Sequence, residues 1–245
     1  MFKISLLGQK GGTGKSTISV GLSVAAALAG HPVAIIDLDP QATAAKWKGR
    51  RSEDNPAVVS AQASRLQPTL ATAEASGVEF AIIDSAGRSD DSALAAARAA
   101  DLVLIPTRTS IVELETLPQV NDLLRLAGTK SAMVMLNGLH PSAGASGIAE
   151  TRAMLQKVYG LSTCSVHLCQ RIAYAEAMVT GSTPQELDPE GKAGQELNDL
   201  FRFVCEVVNS RPVKLENRIR GVEAALEAFK VLMPKKIPAR EQLKL

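Results

Sequence analysis

A glycine-rich segment near the start of the chain carries the first residues that could do chemistry. It runs from Gly8 to Thr17 with the sequence GQKGGTGKST, between the apolar run Phe2–Leu7 and an alanine-rich stretch. Glycines allow backbone N–H groups to turn toward a phosphate, and a helix that follows adds its positive N-terminal end to the same anion. In such a loop we expect Lys15 to neutralise the β- and γ-phosphates, Ser16 to bind Mg²⁺ and Thr17 to contact the α-phosphate.

Carboxylates follow two other apolar runs. Asp37 and Asp39 come at the end of the run that starts at Val33, and Asp84 ends the run Phe80–Asp84, which has the Walker B form. Ligands of α/β sheets bind at the carboxyl ends of parallel strands, so these acids should lie near the phosphate loop. Alternation along an extended chain places Asp37 and Asp39 on one side, within reach of Mg²⁺ or its waters. Asp84 should hold the metal through its water shell. The alternative for Asp39 is a plain Asp-Pro turn.

Short apolar runs alternate with longer amphipathic stretches along the chain. Runs of about five residues rich in Val, Ile and Leu are typical of strands buried on both faces of a parallel sheet. The predicted strands are Phe2–Leu7, Val33–Asp37, Phe80–Asp84, Leu102–Pro106 and Ala132–Leu136. The predicted helices are Ser16–Ala29, Leu66–Ser76, Asp91–Ala99, Val112–Ala127, Gly147–Tyr159 and Gly191–Asn209. This alternation predicts an α/β fold with a doubly wound, mostly parallel sheet flanked by helices, as in P-loop NTPases.

The phosphate loop departs from the plain Walker A pattern, because Gln9 stands where glycine is usual and Lys10 adds a second lysine. The string KGGTGKST resembles the deviant Walker A box of the ParA/MinD family of P-loop ATPases. In that family the first lysine reaches across a nucleotide-sandwich dimer to the partner's phosphates, which implies this role for Lys10. The residues alone leave open a solvent-facing lysine at the loop entrance. Asp37–Gln41 resembles the family's switch I, which implies that Asp39 positions the attacking water with Asp37 in support.

Later segments extend the resemblance to about residue 208. Asn137 matches the family asparagine that hydrogen-bonds adenine, and the segment Arg171–Ala177 is similar to the one whose backbone flanks the base. Ser85–Gly87 resembles switch II of small plasmid ParA proteins, and Arg88 after it is either an arginine finger or an exposed loop residue.

The resemblance implies ATP and Mg²⁺ as cofactors. It implies that the catalytic residues are Lys10, Lys15 and Asp39, that the metal-binding residues are Ser16, Asp39 and Asp84, and that the nucleotide-binding residues are Lys10, Gly11, Gly12, Thr13, Gly14, Lys15, Ser16, Thr17 and Asn137.

The charge of the chain is divided unevenly. Residues 211–245 carry nine Lys/Arg against four Asp/Glu, although the formal net charge of the whole chain is only +2. We therefore expect an ATPase domain over residues 1–210 and a basic C-terminal extension over residues 211–245.

The C-terminal extension carries an apolar stripe at a spacing of three and four residues. This stripe predicts an amphipathic helix at about 213–233, which docks on the body or on a partner. The extension could instead be a solvated charged helix.

Composition limits the class of protein. The 245 residues include no apolar run long enough for a membrane span, no basic segment typical of a secretory signal and only three cysteines, so we expect a cytoplasmic chain. The phosphate loop begins at Gly8, which is typical of short ParA proteins without an N-terminal helix-turn-helix.

The resemblance implies a homodimer formed with ATP that binds DNA non-specifically, is released on hydrolysis and is associated with the nucleoid. It would segregate plasmid or chromosomal DNA with a centromere-binding adaptor encoded elsewhere. The alternatives are a MinD-like membrane-cycling ATPase and a positioning ATPase for a protein cargo. Membrane binding is disfavoured, because the apolar stripe of the C-terminal extension carries a single aromatic residue. Lys and Arg are sufficient for non-specific contacts to DNA phosphates. The candidates are Arg171, Arg202, Arg211, Lys214, Arg218 and Arg220, and a second basic cluster spans Lys46–Arg51 around Trp47.

Overall fold

Six parallel strands form one sheet within residues 1–87 and 90–208, which the computed structural model of the chain describes. The strands are β1 (Phe2–Leu6), β2 (Val33–Asp37), β3 (Ala57–Ser60), β4 (Phe80–Asp84), β5 (Leu102–Thr107) and β6 (Ala132–Leu136). Their order across the sheet is β3-β2-β4-β1-β5-β6. Every residue of β2, β4 and β5 is buried, as the apolar composition of these strands requires when helices cover both faces.

Helices connect the strands and cover the sheet. They are α1 (Lys15–Leu28), α2 (Thr43–Arg50), α3 (Leu66–Ala75), α4 (Asp90–Ala99), α5 (Ile111–Leu114), α6 (Leu117–Ala127), α7 (Ala145–Tyr159), α8 (Ile172–Thr180), α9 (Pro184–Leu187) and α10 (Lys192–Val208). The doubly wound α/β fold predicted from the sequence is thereby confirmed. Among the described residues, no helix is both long enough and apolar enough to cross a membrane.

Two parts of the sequence prediction differ from the structure. The helix predicted over Val112–Ala127 is divided into α5 and α6, because Pro118 lies in the first turn of α6 and has no N–H with which to continue the ladder from α5. Strand β3 and helices α2, α8 and α9 were not among the predicted elements. Strand β3 has only four residues, and two of them, Ala57 and Ser60, are weak strand formers.

Several expectations lie outside the described residues. These are the division of the chain at residue 210, the amphipathic helix at 213–233 and the role of Arg88. They stay predictions.

Helix α2 is fixed to the turn between α8 and α9. The Trp47 side chain is fully buried, and its indole Nε1–H donates to the Ser182 carbonyl at 2.9 Å. The Arg51 guanidinium lies 5.0 Å from the Trp47 ring centre and donates to both carboxylate oxygens of Glu186, at 2.9 and 2.6 Å. Burial raises the pKa of Glu186, but the hydrogen bonds and charge of Arg51 outweigh burial, so the net pKa is lowered. The aromatic centre of the basic cluster Lys46–Arg51 therefore belongs to the core.

Two glycines that end helices test how closely α2 packs against this turn. Gly181 after α8 and Gly128 after α6 both have left-handed backbone, with φ of 74° and 67°. A Cβ at Gly181 would lie 2.5 Å from the Arg50 carbonyl carbon, whereas a Cβ at Gly128 would meet nothing within 4 Å. Gly128→Ala should cost about 1 kcal/mol of unfolding free energy, the cost of the left-handed backbone. Gly181→Ala should cost about 2 kcal/mol more because of the added clash.

The measurement is urea unfolding followed by the fluorescence of Trp47, the single tryptophan of the chain. Equal losses in Gly181→Ala and Gly128→Ala would show that α2 moves away from the turn without cost.

Candidate functional site

The glycine-rich loop joins β1 to α1 at the carboxyl edge of the sheet. Gly12 and Gly14 have φ of 79° and 90°, and α1 begins at Lys15 directly after the second of them. Such left-handed residues within a tight loop turn successive N–H groups toward one point, which forms a concave site for an anion. The loop and the helix N-terminus therefore have the geometry of a phosphate site.

Lys15 lies inside this loop. Its side chain is buried, and the Nζ ammonium donates to the Lys10 carbonyl at 3.0 Å. Burial lowers the pKa of Lys15, while the nearby charges of Asp84 and Asp39 raise it in part. Switch II closes over the ammonium, because a Cβ added at Gly87 would lie 3.0 Å from the Lys15 Nζ. The structure thus brings Lys15 together with two of the predicted acids.

Asp84 is the most deeply buried acid of this site. It is fully inaccessible to solvent, and neither carboxylate oxygen makes a hydrogen bond within the described part of the chain. Burial raises its pKa to about 7, an effect that the neighbouring Ser16 and Ser19 hydroxyls offset in part without reaching hydrogen-bond geometry. Mg²⁺ is usually bound by one or two carboxylates together with phosphate oxygens and water. A buried carboxylate with unpaired oxygens beside the Ser16 hydroxyl fits that ligand set.

Asp37 and Asp39 have different surroundings although they are two residues apart. The Asp37 carboxylate is buried and accepts from the backbone N–H groups of Asp39 and Ala45, both at 3.1 Å, so it holds the turn before α2. Asp39 is only partly buried, and one of its oxygens accepts from the Gln41 N–H at 2.9 Å. Asp39 therefore has the accessible carboxylate, and Asp37 fixes the segment that presents it.

Lys10 is directed away from its own loop. Its Nζ donates at 2.6 Å to the carbonyl of Val112 in the short helix α5. Ile111 and Val112 are 64% and 55% exposed, so the lysine lies at the border of an apolar surface patch. The cavity beside Gly8–Lys10 measures only about 10 Å³, because the side chains and the loop are folded against one another.

Asn137 and the segment that starts at Arg171 lie at the same edge of the sheet. The Asn137 amide Nδ2 donates to the Thr13 carbonyl at 2.7 Å, so the asparagine contacts the phosphate loop itself. Two residues later, Leu139 pairs with Cys169, which brings the chain before Arg171 alongside. This contact of Asn137 with the loop was not expected from the sequence, since the resemblance implied a contact with adenine.

The two DNA-contact candidates of the described body are already paired with acids. Arg171 donates to Glu196 at 2.6 Å, and Arg202 makes an ion pair with Asp199 at 2.5 Å. The other candidates, Arg211, Lys214, Arg218 and Arg220, lie outside the described residues.

Sequence reasoning missed Arg108, which follows β5. Its guanidinium Nη2 donates to the Gly12 carbonyl at 2.9 Å and places a third cation at the loop besides Lys10 and Lys15. Its position two residues after the predicted strand Leu102–Pro106 was the available signal.

Known proteins with this fold include nucleotide-bound ATPases. The Maintenance of carboxysome distribution protein A of Gloeobacter kilaueensis is 27% identical over 206 residues, or 83% of this chain and 92% of that protein. The septum site-determining protein MinD of Pyrococcus horikoshii, solved with Mg-ADP, superposes with a TM-score of 0.68 at 20% identity and covers 84% of this chain and 97% of its own. A McdA variant from Cyanothece, solved with ATP, gives a TM-score of 0.63 at 18% identity and covers 87% and 98%.

A family match spans nearly the whole chain. The family described as the CobQ/CobB/MinD/ParA nucleotide binding domain matches residues 4–244. Its match includes the phosphate loop, both switch segments and Asn137. The resemblance inferred from the deviant Walker A box is thereby confirmed, and the chain belongs to the CobQ/CobB/MinD/ParA family of nucleotide-binding domains, with ParA and MinD ATPases among its relatives.

Proposed function

We propose that the chain binds ATP with Mg²⁺ and hydrolyses it in a cycle of dimerisation that controls its attachment to DNA. The binding and hydrolysis of ATP are supported by the convergence of Lys15, Asp39 and Asp84 at the carboxyl ends of three neighbouring strands. Phosphoryl transfer depends mainly on positioning and on neutralising charge, and these residues supply both.

Each residue has a separate task in this proposal. Lys15 leaves the Lys10 carbonyl and neutralises the β- and γ-phosphates. Ser16 and Asp84 hold Mg²⁺, which when bound offsets negative charge on the phosphates. Asp39 orients a water for attack, since its carboxylate is the accessible one of the switch I pair.

Dimerisation is proposed to use Lys10 and the surface around α5. The Lys10 ammonium makes a contact with one main-chain carbonyl, that of Val112, near the molecular surface. A phosphate carries full negative charge and is a stronger acceptor than a neutral carbonyl. Transfer of Lys10 to the partner's phosphates, with burial of Ile111 and Val112 in the interface, therefore couples nucleotide binding to dimer formation.

The proposed cargo is plasmid or chromosomal DNA, reached through a centromere-binding adaptor encoded elsewhere, with the dimer held non-specifically on the nucleoid in the cytoplasm. Because Arg171 and Arg202 are paired with acids, the basic residues 211–245 are the better candidates for phosphate contacts. A second candidate function is the positioning of a protein cargo, which the 27% identity with the carboxysome distribution protein favours. Identification of the adaptor by co-purification distinguishes the two.

Asp84→Asn tests the proposed metal site. Burial raises the pKa of Asp84 to about 7 from an ordinary value of 3.8, so the folded chain retains a proton that the unfolded chain loses, and stability falls as the pH rises between these values. Without Mg²⁺, the Asn variant should be more stable than the wild type at pH 8 by at least about 1 kcal/mol and equal to it near pH 4. Urea unfolding measures the difference.

In the wild type, Mg²⁺ together with ATP should raise the melting temperature more than ATP alone does. The same Asp84→Asn variant should lose this additional rise. An undiminished effect of Mg²⁺ in the variant would place the metal elsewhere.

Asp39→Ala and Lys10→Ala should separate hydrolysis from dimerisation. Asp39→Ala should bind ATP, hydrolyse it at least about tenfold more slowly and elute as a dimer in size-exclusion runs with ATP, because it loses water positioning alone.

Lys10→Ala should bind ATP but remain monomeric in the same runs, because it loses the contact with the partner's phosphates. Lys15→Ala is the control that loses nucleotide binding itself. Normal turnover in Asp39→Ala, or an undiminished ATP-dependent dimer in Lys10→Ala, would contradict the assigned role.

Deletion of residues 211–245 tests the proposed DNA contacts. DNA binding by the full chain should require ATP and fall steeply with salt, because neutralised phosphates release counterions. The truncated chain should bind ATP as before but bind DNA more weakly, as measured by fluorescence anisotropy with random-sequence duplex. Loss of liposome binding with unchanged DNA binding would instead support the membrane-cycling alternative.

A further inference from the structure

Two side chains that follow the neighbouring strands β5 and β6 donate hydrogen bonds to the backbone of the phosphate loop. Arg108, directly after β5, donates from Nη2 to the Gly12 carbonyl at 2.9 Å. Asn137, directly after β6, donates from Nδ2 to the Thr13 carbonyl at 2.7 Å. The two donors thus bind consecutive carbonyls of one segment.

Because of peptide geometry, these two hydrogen bonds also orient N–H groups of the loop. A trans peptide unit is planar, and its C=O and the N–H of the next residue point to opposite sides. Fixing the Gly12 carbonyl therefore fixes the direction of the Thr13 N–H, and fixing the Thr13 carbonyl fixes that of the Gly14 N–H. These N–H groups belong to the segment that a phosphate loop presents to its anion.

Arg108 is itself held in place. Its backbone N–H donates to the Glu113 carboxylate at 2.8 Å, and the other oxygen of that carboxylate lies 3.9 Å from the Arg108 Nε. The guanidinium also lies against Gly138, where an added Cβ would be 3.4 Å from Nε. A long side chain that is 54% exposed is thereby confined to one direction. The neighbouring Asn137 approaches so closely that a Cβ at Gly14 would lie 2.4 Å from its Nδ2.

We propose that Arg108 is a positioning residue for nucleotide binding, which acts with Asn137 by holding the Gly12 and Thr13 carbonyls so that the loop N–H groups face the phosphates. The proposal rests on the proposed ATP binding and adds a residue outside the Walker and switch motifs. Arg108 acts through the loop backbone, so ATP and ADP should be affected alike. Contacts to phosphates that exist before and during the reaction change KM more than kcat.

The test compares Arg108→Ala with the wild type and with Arg125→Ala, which removes an exposed arginine from the last turn of α6. Titration with ATP and with ADP should show that Arg108→Ala weakens both by roughly tenfold, as for the loss of a hydrogen bond to a charged group. The KM for ATP should rise while kcat stays within about twofold. Arg108→Lys should recover part of the affinity, since lysine keeps a cationic donor for the Gly12 carbonyl. Arg125→Ala should bind like the wild type.

A direct readout is the amide resonance of Thr13 in ¹⁵N-labelled protein. ADP should shift it in the wild type and shift it less in Arg108→Ala, while thermal melting confirms that both are folded. If Arg108→Ala does not fold, Arg108→Met replaces it, because methionine keeps an unbranched side chain but has no donor for the Gly12 carbonyl. Unchanged affinities for ATP and ADP would overturn the proposal, as would a loss confined to ATP or to kcat, which would place Arg108 on the γ-phosphate. A wild-type chain that binds no nucleotide would instead refute the proposed function.

Discussion

Strand β1 pairs with β4 on one side and with β5 on the other, and this pairing sets the positions of the other parts of the site. Leu6 at the end of β1 lies in register with Asp84 on one side and Leu104 on the other. Because β1 and β4 are parallel and end level with each other, the loop that leaves β1 meets the acid that ends β4. The same pairing brings the segment after β5, with Arg108, to the opposite side of the loop. A slip of register would separate Lys15 from its acids.

This arrangement buries two ionisable side chains, those of Lys15 and Asp84. Asp84 has two buried oxygens without hydrogen bonds, and Lys15 is satisfied by one backbone carbonyl. An unpaired buried polar group costs free energy unless a partner restores the lost hydration. In the proposed function, Mg²⁺ and the phosphates are those partners, so the structure is less stable at this site than a core of ordinary residues would be. The burial of these groups with few partners therefore both lowers the stability of the empty site and favours nucleotide binding.

Helix α2 connects switch I to the turn after α8. It begins after switch I, where Asp37 accepts from the Ala45 N–H, and Trp47 fixes it to the Ser182 carbonyl. Ser182 follows α8, the helix that starts at the segment similar to the base-flanking one. Switch I and the turn after α8 are thus linked through α2 and the buried side chain of Trp47. The only tryptophan lies in this connection rather than on a surface.

Local patterns were enough to predict the fold class, the phosphate loop and the positions of the three acids. These patterns are the buried runs of Val, Ile and Leu, the glycines before Lys15 and the acids at or just after the end of a strand. The division of the helix at Pro118 was missed although proline is a local signal, because the apolar periodicity continues across it. Strand β3 was missed because four residues give a weak local pattern, and pairing with β2 is what makes them a strand. No local pattern predicts which side chains hold the loop, because these contacts depend on how the strands are arranged in three dimensions. Arg108 and Asn137 are far from Gly12 and Thr13 in sequence, and only the order of β1, β5 and β6 in the sheet brings their donors to those two carbonyls.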